Sequence, residues 1–233
     1  MGNVLVLSAT AFEQGVLREQ VEQRVTSAVA GKEWVSGSMG GRSVLLVATG
    51  IGAVNAAHAL TCALQARRPD WVLQVGVGGA YPQGGLEIGA LALASEEWYG
   101  DLGVRTDEGW QGADLIGIPV YGEDGYNKFV LAGECLDRAQ EVLPEVKVGP
   151  FATVQECSGT DELGLERGAR FGAVCENMEG AAAAHVCALY GVPFLELRAM
   201  SNRVEKRDRE QWDLVGAVAR AQEAAARLLE SEI

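Results

Sequence analysis

The feature that most constrains the fold is the alternation of short, continuous apolar runs with helix-like segments. Residues 4–7 form a run that suits a strand buried on both faces, and residues 12–25 follow with a helical pattern. A second helical pattern covers residues 53–67 and stops before Pro69, after which residues 71–75 form the next apolar run. This β-α-β rhythm predicts the α/β class.

The rest of the chain adds antiparallel strands and further helices to this pattern. Residues 37–41 are rich in glycine and join two β-rich runs, which predicts an antiparallel hairpin, while residues 76–80 predict a glycine-rich turn. Further helices are predicted at residues 128–143, 161–170, 180–190 and 209–229. We therefore expect residues 1–233 to form one domain, a three-layer α/β/α sandwich with a mixed central sheet.

Composition excludes several classes of protein. The chain carries 19 basic and 32 acidic side chains, a net charge of −13, without a basic stripe that could follow a nucleic acid backbone. No apolar run approaches the roughly 20 residues that span a membrane, and the first residues lack a basic signal-peptide segment. We expect a cytoplasmic protein that binds neither nucleic acid nor membrane.

Cysteine and histidine spacing argues against a metal site. The 5 cysteines are widely spaced without a CxxC pair, and His58 and His185 lie far apart in the sequence. The prediction is therefore that the protein holds no metal and no other cofactor. Its chemistry would have to rest on carboxylates, amides or backbone groups.

Polar side chains directly after the predicted strands are the candidates for a site, because ligands of α/β sheets bind beyond the carboxyl ends of strands. Taken singly, Glu13 and Glu179 also suit the first turn of a helix, and Asn202 suits a turn. Arg198 is different, since a cation inside an apolar strand requires a partner, for which a carboxylate is the natural choice.

The last third of the chain carries the most specific pattern. It reads Met178-Glu179, an alanine-rich helix, Gly-Val-Pro-Phe at residues 191–194, and then Arg-Ala-Met-Ser-Asn ending at Asn202. This pattern resembles the C-terminal signature of the nucleoside phosphorylase and nucleosidase superfamily, and residues 50–52, 76–79 and 86–89 fit the same family. The resemblance implies a nucleoside phosphorylase-like fold, a purine nucleoside as the small-molecule ligand, and a homo-oligomer, a dimer or larger.

Within that superfamily the sequence resembles the hydrolases, and in particular the futalosine hydrolases of menaquinone biosynthesis. The nucleosidases carry a glutamate shortly after the first strand, where Glu13 lies, whereas the phosphorylases receive phosphate there. A carboxylate beside the anomeric carbon would repel phosphate yet could orient and deprotonate water. The expected reaction is hydrolysis of the N-glycosidic bond of futalosine to hypoxanthine and dehypoxanthine futalosine, by water that Glu13 activates.

The resemblance also implies roles for other residues. Glu179 would accept hydrogen bonds from the ribose 2′ and 3′ hydroxyls, and Met178 would pack against the sugar. Arg198 would place the water or steady a neighbouring carboxylate. The backbone N–H groups of Gly78 and Gly79 would line the base or water side of the site.

Asn202, next to the predicted substrate-binding residue Ser201, is the most informative departure from the family. The adenine-specific nucleosidases have aspartate there, because adenine with a protonated N7 presents two donors. Hypoxanthine presents one donor and the O6 acceptor, which an amide matches. Asn202 therefore predicts a 6-oxopurine leaving group, which the amide stabilises without delivering a proton.

Other readings stay open at the level of sequence. Residues 153–158 lack an aromatic side chain to stack on the base, and residues 98–126 are expected to close over the 5′ substituent. Arg105 and Lys128 are candidates for its carboxylate, or else solvated surface charges. The alternative functions are a methylthioadenosine/S-adenosylhomocysteine nucleosidase, a phosphorylase of 6-oxopurine nucleosides, and a non-catalytic nucleoside sensor, which the presence of Glu13, Glu179 and Arg198 disfavours.

Overall fold

The computed structural model describes residues 2–231 and residue 233. The β-strands are β1 (Asn3–Ser8), β2 (Glu22–Val29), β3 (Lys32–Met39), β4 (Arg42–Ala48), β5 (Trp71–Ala80), β6 (Leu91–Tyr99), β7 (Gly103–Thr106), β8 (Gly109–Gly112), β9 (Lys128–Val130), β10 (Lys147–Thr153), β11 (Cys175–Asn177) and β12 (Phe194–Arg203). The α-helices are α1 (Gly15–Gln20), α2 (Ala53–Ala66), α3 (Glu134–Val142), α4 (Asp161–Phe171), α5 (Gly180–Tyr190) and α6 (Leu214–Glu230).

The large sheet is mixed and partly closed. Its strands run in the order β11, β10, β6, β12, β5, β1, β4, β3, β2, with β9 paired to β6. Strand β1 is parallel to β4 and β5, β12 is parallel to β5, and β3 is antiparallel to β4, which confirms the predicted hairpin. Because β11 also pairs antiparallel with β5, one half of the sheet closes on itself.

Alternate residues of β1 face opposite helical layers. Val4 and Val6 pack in one apolar cluster with side chains of α1, α3 and α6, whereas Leu5 and Leu7 pack in a second cluster with α2 and α5. Successive side chains of a strand point to opposite faces, so an unbroken apolar run is what a strand between two layers needs. The predicted three-layer α/β/α fold with a mixed sheet is confirmed.

The helix predicted for residues 12–25 is wrong beyond Gln20. A short 3-10 turn and α1 occupy residues 12–20, and Glu22–Val29 is a strand antiparallel to β3. The spacing of Leu17, Val21 and Val25 imitates a helical face, but the β-branched Val25 and Thr26 lie opposite β3 in the sheet. Pairing with a neighbouring strand overrides the local pattern.

The turn predicted at residues 76–80 is also wrong, because β5 continues through Ala80. Its glycines admit neighbouring strands instead of reversing the chain. A Cβ at Gly78 would collide with Cys175 Sγ, and one at Gly79 would lie 2.7 Å from Val204 Cγ2. The absence of side chains therefore lets β11 and β12 approach β5 closely.

Two predicted helices begin later than the sequence indicates. Residues 128–130 form β9 and α3 begins at Glu134, while a 3-10 turn precedes α6, which begins at Leu214. Asp213 caps α6, since its Oδ1 accepts a hydrogen bond of 2.8 Å from the Gly216 N–H. Among the helices described, none is both long and apolar enough to cross a membrane.

Candidate active site

A cavity of about 400 Å³ lies where β1, β5 and β12 end. This is the position at which α/β sheets bind ligands, because neighbouring strand ends leave a crevice. The residues predicted to act on the water, the sugar and the base all line this cavity: Glu13, Gly78, Gly79, Met178, Glu179, Arg198, Ser201 and Asn202. Residues far apart in the sequence therefore share one pocket, as the hypothesis of two converging acids requires.

Glu13 is a buried carboxylate held by hydrogen bonds from its own loop and from β5. Its Oε2 accepts from the Thr10 N–H and the Thr10 hydroxyl, both at 2.9 Å, and its Oε1 accepts from the Val77 N–H at 3.1 Å. The 3-10 turn after β1 brings the side chain back over the strand ends. These donors fix the direction in which the carboxylate can accept a further proton.

Glu179 approaches the same cavity from the start of α5. Its Oε1 accepts a hydrogen bond of 3.0 Å from the Gly52 N–H, and its own backbone N–H donates to Asn177 Oδ1 at 3.0 Å. Gly52, at the start of α2, has a φ of 92°, a conformation that favours glycine. The carboxylate is thus clamped between the beginnings of two helices.

Arg198 joins the acids of the cavity. Its Nη2 donates to Glu179 Oε2 at 3.2 Å, and its Nη1 donates to the Val77 carbonyl at 3.0 Å. A Cβ at Gly76 would lie 2.6 Å from Glu13 Oε1 and 3.0 Å from Arg198 Nη1, so glycine leaves space for both side chains. Glu179 is therefore ion-paired with Arg198, and Glu13 lies near the same guanidinium without an ion pair among the described contacts.

The charge of Arg198 is secured in spite of complete burial. Burial by itself lowers the pKa of a guanidinium, but the carboxylates of Glu196 and Glu179 raise the pKa of Arg198 above its ordinary value. Arg198 Nε donates to Glu196 Oε1 at 2.8 Å. The guanidinium therefore stays protonated, and it remains available to position anionic groups in the cavity.

A second pair of acids lies on the far side of Arg198. Glu97 and Glu196 are fully buried, and a Cβ at Gly180 would collide with oxygens of both carboxyl groups. Burial and the neighbouring Glu196 raise the pKa of Glu97 well above its ordinary value, and burial also raises the pKa of Glu196. Glu196 Oε2 has no hydrogen-bond partner among the described residues, and the raised pKa values of the two carboxyl groups favour retention of a proton by the pair.

Ser201 and Asn202 lie at an irregularity in β12. The register with β5 shifts between Met200 and Asn202, which places Asn202 opposite Gly79. Asn202 Oδ1 accepts from the Ser201 hydroxyl at 2.8 Å, and Asn202 Nδ2 donates to the Arg203 carbonyl at 2.9 Å. Each end of the amide uses one hydrogen-bonding position in this way and keeps one for a ligand.

Several contributors to the cavity are absent from the sequence-based prediction. The Val77 N–H donates to Glu13, and the Gly52 N–H donates to Glu179. Glu176 and Ser158 line the wall near Asn202, and an apolar surface also lines the cavity. That apolar surface consists of Phe12, Ile51, Trp212 and Leu214. Backbone donors carry no sequence signal, although an aromatic residue shortly after the Asn202 motif could have been noticed.

Other predictions about the rim are not supported by the geometry. Residues 98–126 contain the β7–β8 hairpin, and within the described chain none of them lines this cavity. Arg105 and Lys128 lie outside it as well, and Lys128 Nζ forms an ion pair of 3.6 Å with Glu96. The described arginines that do reach the cavity besides Arg198 are Arg203 and Arg207. Over residues 2–231 and 233, no cluster of side chains suited to a metal ion is found.

Comparison with known proteins identifies the class. A profile of the Phosphorylase superfamily matches residues 3–233, and the chain belongs to that superfamily. Futalosine hydrolase of Thermus thermophilus is 40% identical over 197 residues, which cover 82% of this chain and 84% of that protein. A 5′-methylthioadenosine/S-adenosylhomocysteine nucleosidase of Bacillus cereus is 31% identical over 211 residues, 90% of each chain. The resemblance inferred from the sequence is confirmed.

Comparison with solved structures also finds nucleosidases with this fold. The crystal structure of the 5′-methylthioadenosine/S-adenosylhomocysteine nucleosidase of Neisseria meningitidis, in complex with methylthio-immucillin-A, superposes with a TM-score of 0.88. It covers 100% of both chains at 23% sequence identity. At this identity the likeness establishes a common fold, and the chemistry has to be argued from the residues of the cavity.

Proposed function

We propose that the protein hydrolyses the N-glycosidic bond of futalosine, releasing hypoxanthine and dehypoxanthine futalosine. The observation that carries the proposal is the convergence of Glu13 and Glu179 around Arg198 in a cavity that also contains Asn202. The enzyme class is that of hydrolases acting on N-glycosyl bonds, to which its relatives belong. A place in menaquinone biosynthesis, a cytoplasmic location and a homo-oligomeric assembly are predictions that accompany the proposal.

Glu13 acts as the general base in this mechanism. A water molecule gives its proton to the carboxylate as its oxygen bonds to the anomeric carbon, and the bond from that carbon to N9 of the base breaks. The hydrogen bonds from Thr10 and Val77 hold the carboxylate in place and leave one lone pair of Oε1 free for the proton of the water. Water is the nucleophile because Glu13 repels an anion such as phosphate.

Glu179 binds the ribose, and Arg198 holds the Glu179 carboxylate in place. Glu179 uses one oxygen for the Gly52 N–H and the other for Arg198, and each oxygen keeps a lone pair for a ribose hydroxyl. The negative charge of the acids stabilises the positive charge that develops on the ribose as the bond to the base breaks. Met178, on the same wall, packs against the sugar.

Asn202 stabilises the departing base. With N7 protonated, hypoxanthine offers one donor to the amide oxygen, while its O6 accepts from the amide NH₂. The amide cannot supply the N7 proton, which comes from solvent or another group. Gly78, Gly79 and Ser201 form the adjoining wall.

Incubation with futalosine, inosine and methylthioadenosine, each with and without phosphate, tests the proposal. Chromatography of the released base should show hypoxanthine from futalosine at a rate that phosphate does not change. A strict requirement for phosphate would instead indicate a phosphorylase. Rapid release of adenine from methylthioadenosine, with futalosine untouched, would contradict the assignment of the substrate.

The second candidate is a 5′-methylthioadenosine/S-adenosylhomocysteine nucleosidase. It is favoured by the Bacillus relatives, which match 90% of this chain, and by the common fold with such enzymes. Asn202 argues against it, because an amide does not accept both donors of N7-protonated adenine. The same three substrates distinguish the two functions.

A further inference from the structure

Glu176 is a buried carboxylate in the wall of the cavity that the mechanism above does not use. Only 7% of the residue is exposed, and it lines the cavity from β11. Its Oε1 accepts from the Ser158 N–H at 2.9 Å, and its Oε2 accepts from the Ser158 hydroxyl at 2.6 Å and the Tyr81 hydroxyl at 2.8 Å. An acid that only supports the fold would have no reason to face the ligand cavity.

The neighbours of Glu176 are donors, which define it as an acceptor. Burial and the carboxylate of Glu176 raise the pKa of Tyr81 well above its ordinary value, so the phenol keeps its proton and donates it. Arg167 Nη1 donates to Ser158 Oγ at 3.0 Å, which leaves the serine proton for Glu176. Oε1 has one hydrogen bond within the described chain and can accept another.

Strand register places Glu176 and Asn202 on either side of the same glycine. Asn202 lies opposite Gly79 in the β12–β5 pair, and Glu176 lies opposite Gly79 in the β5–β11 pair. A Cβ at Gly79 would lie 3.3 Å from Asn202 Nδ2 and 3.9 Å from Glu176 Cβ. The amide and the carboxylate therefore approach one end of the cavity, whereas Glu13, Glu179 and Arg198 occupy the other end.

The pair complements one edge of a 6-oxopurine. Along the edge N1, O6, N7, hypoxanthine with a protonated N7 presents a donor, an acceptor and a donor. Asn202 supplies a donor for O6 and an acceptor for N7, which leaves the N1–H without a partner. In adenine N1 is an acceptor, and a carboxylate opposite it would leave two acceptors facing each other without a proton.

We propose that Glu176 is a specificity-determining residue, whose carboxylate accepts a hydrogen bond from the N1–H of a 6-oxopurine and rejects adenine. The inference rests on the proposed function, since it concerns the base of the same substrate. Asn202 discriminates at the N7 side of the ring, and Glu176 discriminates at the N1 side. Ser158 and Tyr81 position the carboxylate through their hydrogen bonds to it.

The test is the Glu176→Gln variant, assayed on matched pairs of 6-oxo and 6-amino nucleosides. The pairs are inosine with adenosine, and futalosine with its 6-amino counterpart. The glutamine amide can donate to N1 of adenine, so the ratio of kcat/KM for the 6-oxo over the 6-amino substrate should fall at least about tenfold. Glu141→Gln, at an exposed position of α3 outside the cavity, is the matched control, since it makes the same change from acid to amide, and the ratio should stay within about threefold.

A structural role predicts a different result. If Glu176 only supports the fold, Glu176→Gln lowers kcat/KM for both members of a pair by the same factor, and the unchanged ratio overturns the inference. Failure of the proposed function is a separate outcome: futalosine would remain intact in the wild-type protein, while the inosine and adenosine pair still reports on Glu176.

Binding of free bases keeps the inference testable if the variant does not fold. Calorimetry on the wild-type protein should show that hypoxanthine binds at least about tenfold more tightly than 1-methylhypoxanthine, which lacks the N1–H. Equal affinities would overturn the inference, because they would mean that no acceptor faces N1. This measurement does not depend on hydrolysis.

Discussion

Arg198 separates two pairs of carboxyl groups that are neutralised in different ways. On the cavity side, Glu13 and Glu179 accept hydrogen bonds from backbone N–H groups, namely those of Thr10, Val77 and Gly52. On the buried side, Glu97 and Glu196 receive no such backbone hydrogen bonds among the described contacts, and burial raises the pKa of both carboxyl groups instead. One guanidinium contacts a member of each pair.

The difference shows how a single cation can serve chemistry and folding together. Backbone donors stabilise negative charge at a fixed place, which suits carboxylates that must accept protons from water or sugar hydroxyls. Retention of a proton removes one charge from a pair of carboxyl groups that does not line the cavity, at the cost of a dependence on pH. Glu196 therefore acts on the cavity only through Arg198, as a positioning residue.

Removing the cation should have the largest effect on both pairs. In Arg198→Met, Glu179 and Glu196 lose their partner inside the protein, and the free energy of unfolding in urea should fall by about 3–5 kcal/mol. Arg203→Met is the control, because Arg203 is half-exposed and pairs with Glu87 at the surface, where the loss should stay below about 1 kcal/mol. Similar losses in both variants would contradict the central place given to Arg198.

Changing only the cavity pair should affect turnover more than stability. Glu13→Gln keeps the shape of the side chain but cannot take a proton, so kcat should fall at least about 100-fold while nucleoside binding survives. Rates come from the hypoxanthine assay and affinities from calorimetry. Glu141→Gln, an exposed position in α3, is the matched control. Activity in Glu13→Gln equal to that of the control would remove Glu13 from the mechanism.

The base end of the cavity can be changed independently of both pairs. Asn202→Asp supplies two acceptors, and the ratio of kcat/KM for adenine over hypoxanthine nucleosides should rise about tenfold. Competition between inosine and adenosine in one reaction measures this ratio directly. A ratio that does not change would mean that the amide plays no part in recognising the base.

The buried pair of Glu97 and Glu196 should make the stability of the folded protein depend on pH. Above the ordinary carboxyl pKa of 4.5, the unfolded chain releases both protons, whereas the folded pair retains one because its pKa values are raised. The stability contributed by the pair is therefore complete below that pH and is lost as pH rises through the folded pKa values. Glu196→Gln removes one titrating group, because an amide does not ionise. The variant keeps the hydrogen-bonding capacity of the side chain, since its oxygen can still accept from Arg198 and its NH₂ can donate to Glu97.

Relative to wild type, Glu196→Gln should gain stability between pH 5 and pH 9, by about 1 kcal/mol. Thermal unfolding at both pH values measures the change, and kcat/KM at neutral pH should stay within about threefold of wild type. Glu196→Ala supplies the contrast, because it leaves Arg198 without a hydrogen-bond acceptor at Nε. A pH dependence identical in wild type and Glu196→Gln would show that the pair retains no proton above the ordinary carboxyl pKa.

The sequence was informative where a functional group and its context lie close together along the chain. Met178, Glu179, Arg198 and Asn202 fall within one continuous pattern, and Glu13 follows a strand that its apolar run makes evident. The assignment of residues 1–233 to one domain and the roles of these residues stay predictions. Glu176 lies next to the same pattern, in a polar stretch after a predicted strand, but the sequence gives it no role, because a lone acid before Asn177 has no distinguishing local feature.

Secondary structure was harder to predict where two strands compete with a helix or turn. The segment now known as β2 carries apolar residues at helical spacing, and the glycines of β5 look like a turn. In both places the outcome depends on a neighbouring strand distant in sequence. Such pairing contributes free energy that local propensities do not contain.

By itself, the sequence determined the class of fold and the kinds of side chain available for chemistry, because hydrophobic periodicity and residue type are local properties. Only the tertiary structure decided which backbone N–H groups bind Glu13 and Glu179, which acids are buried together behind Arg198, and that Glu176 and Asn202 flank Gly79. These arrangements depend on strand register, and a shift of one residue would turn each side chain to the opposite face of the sheet.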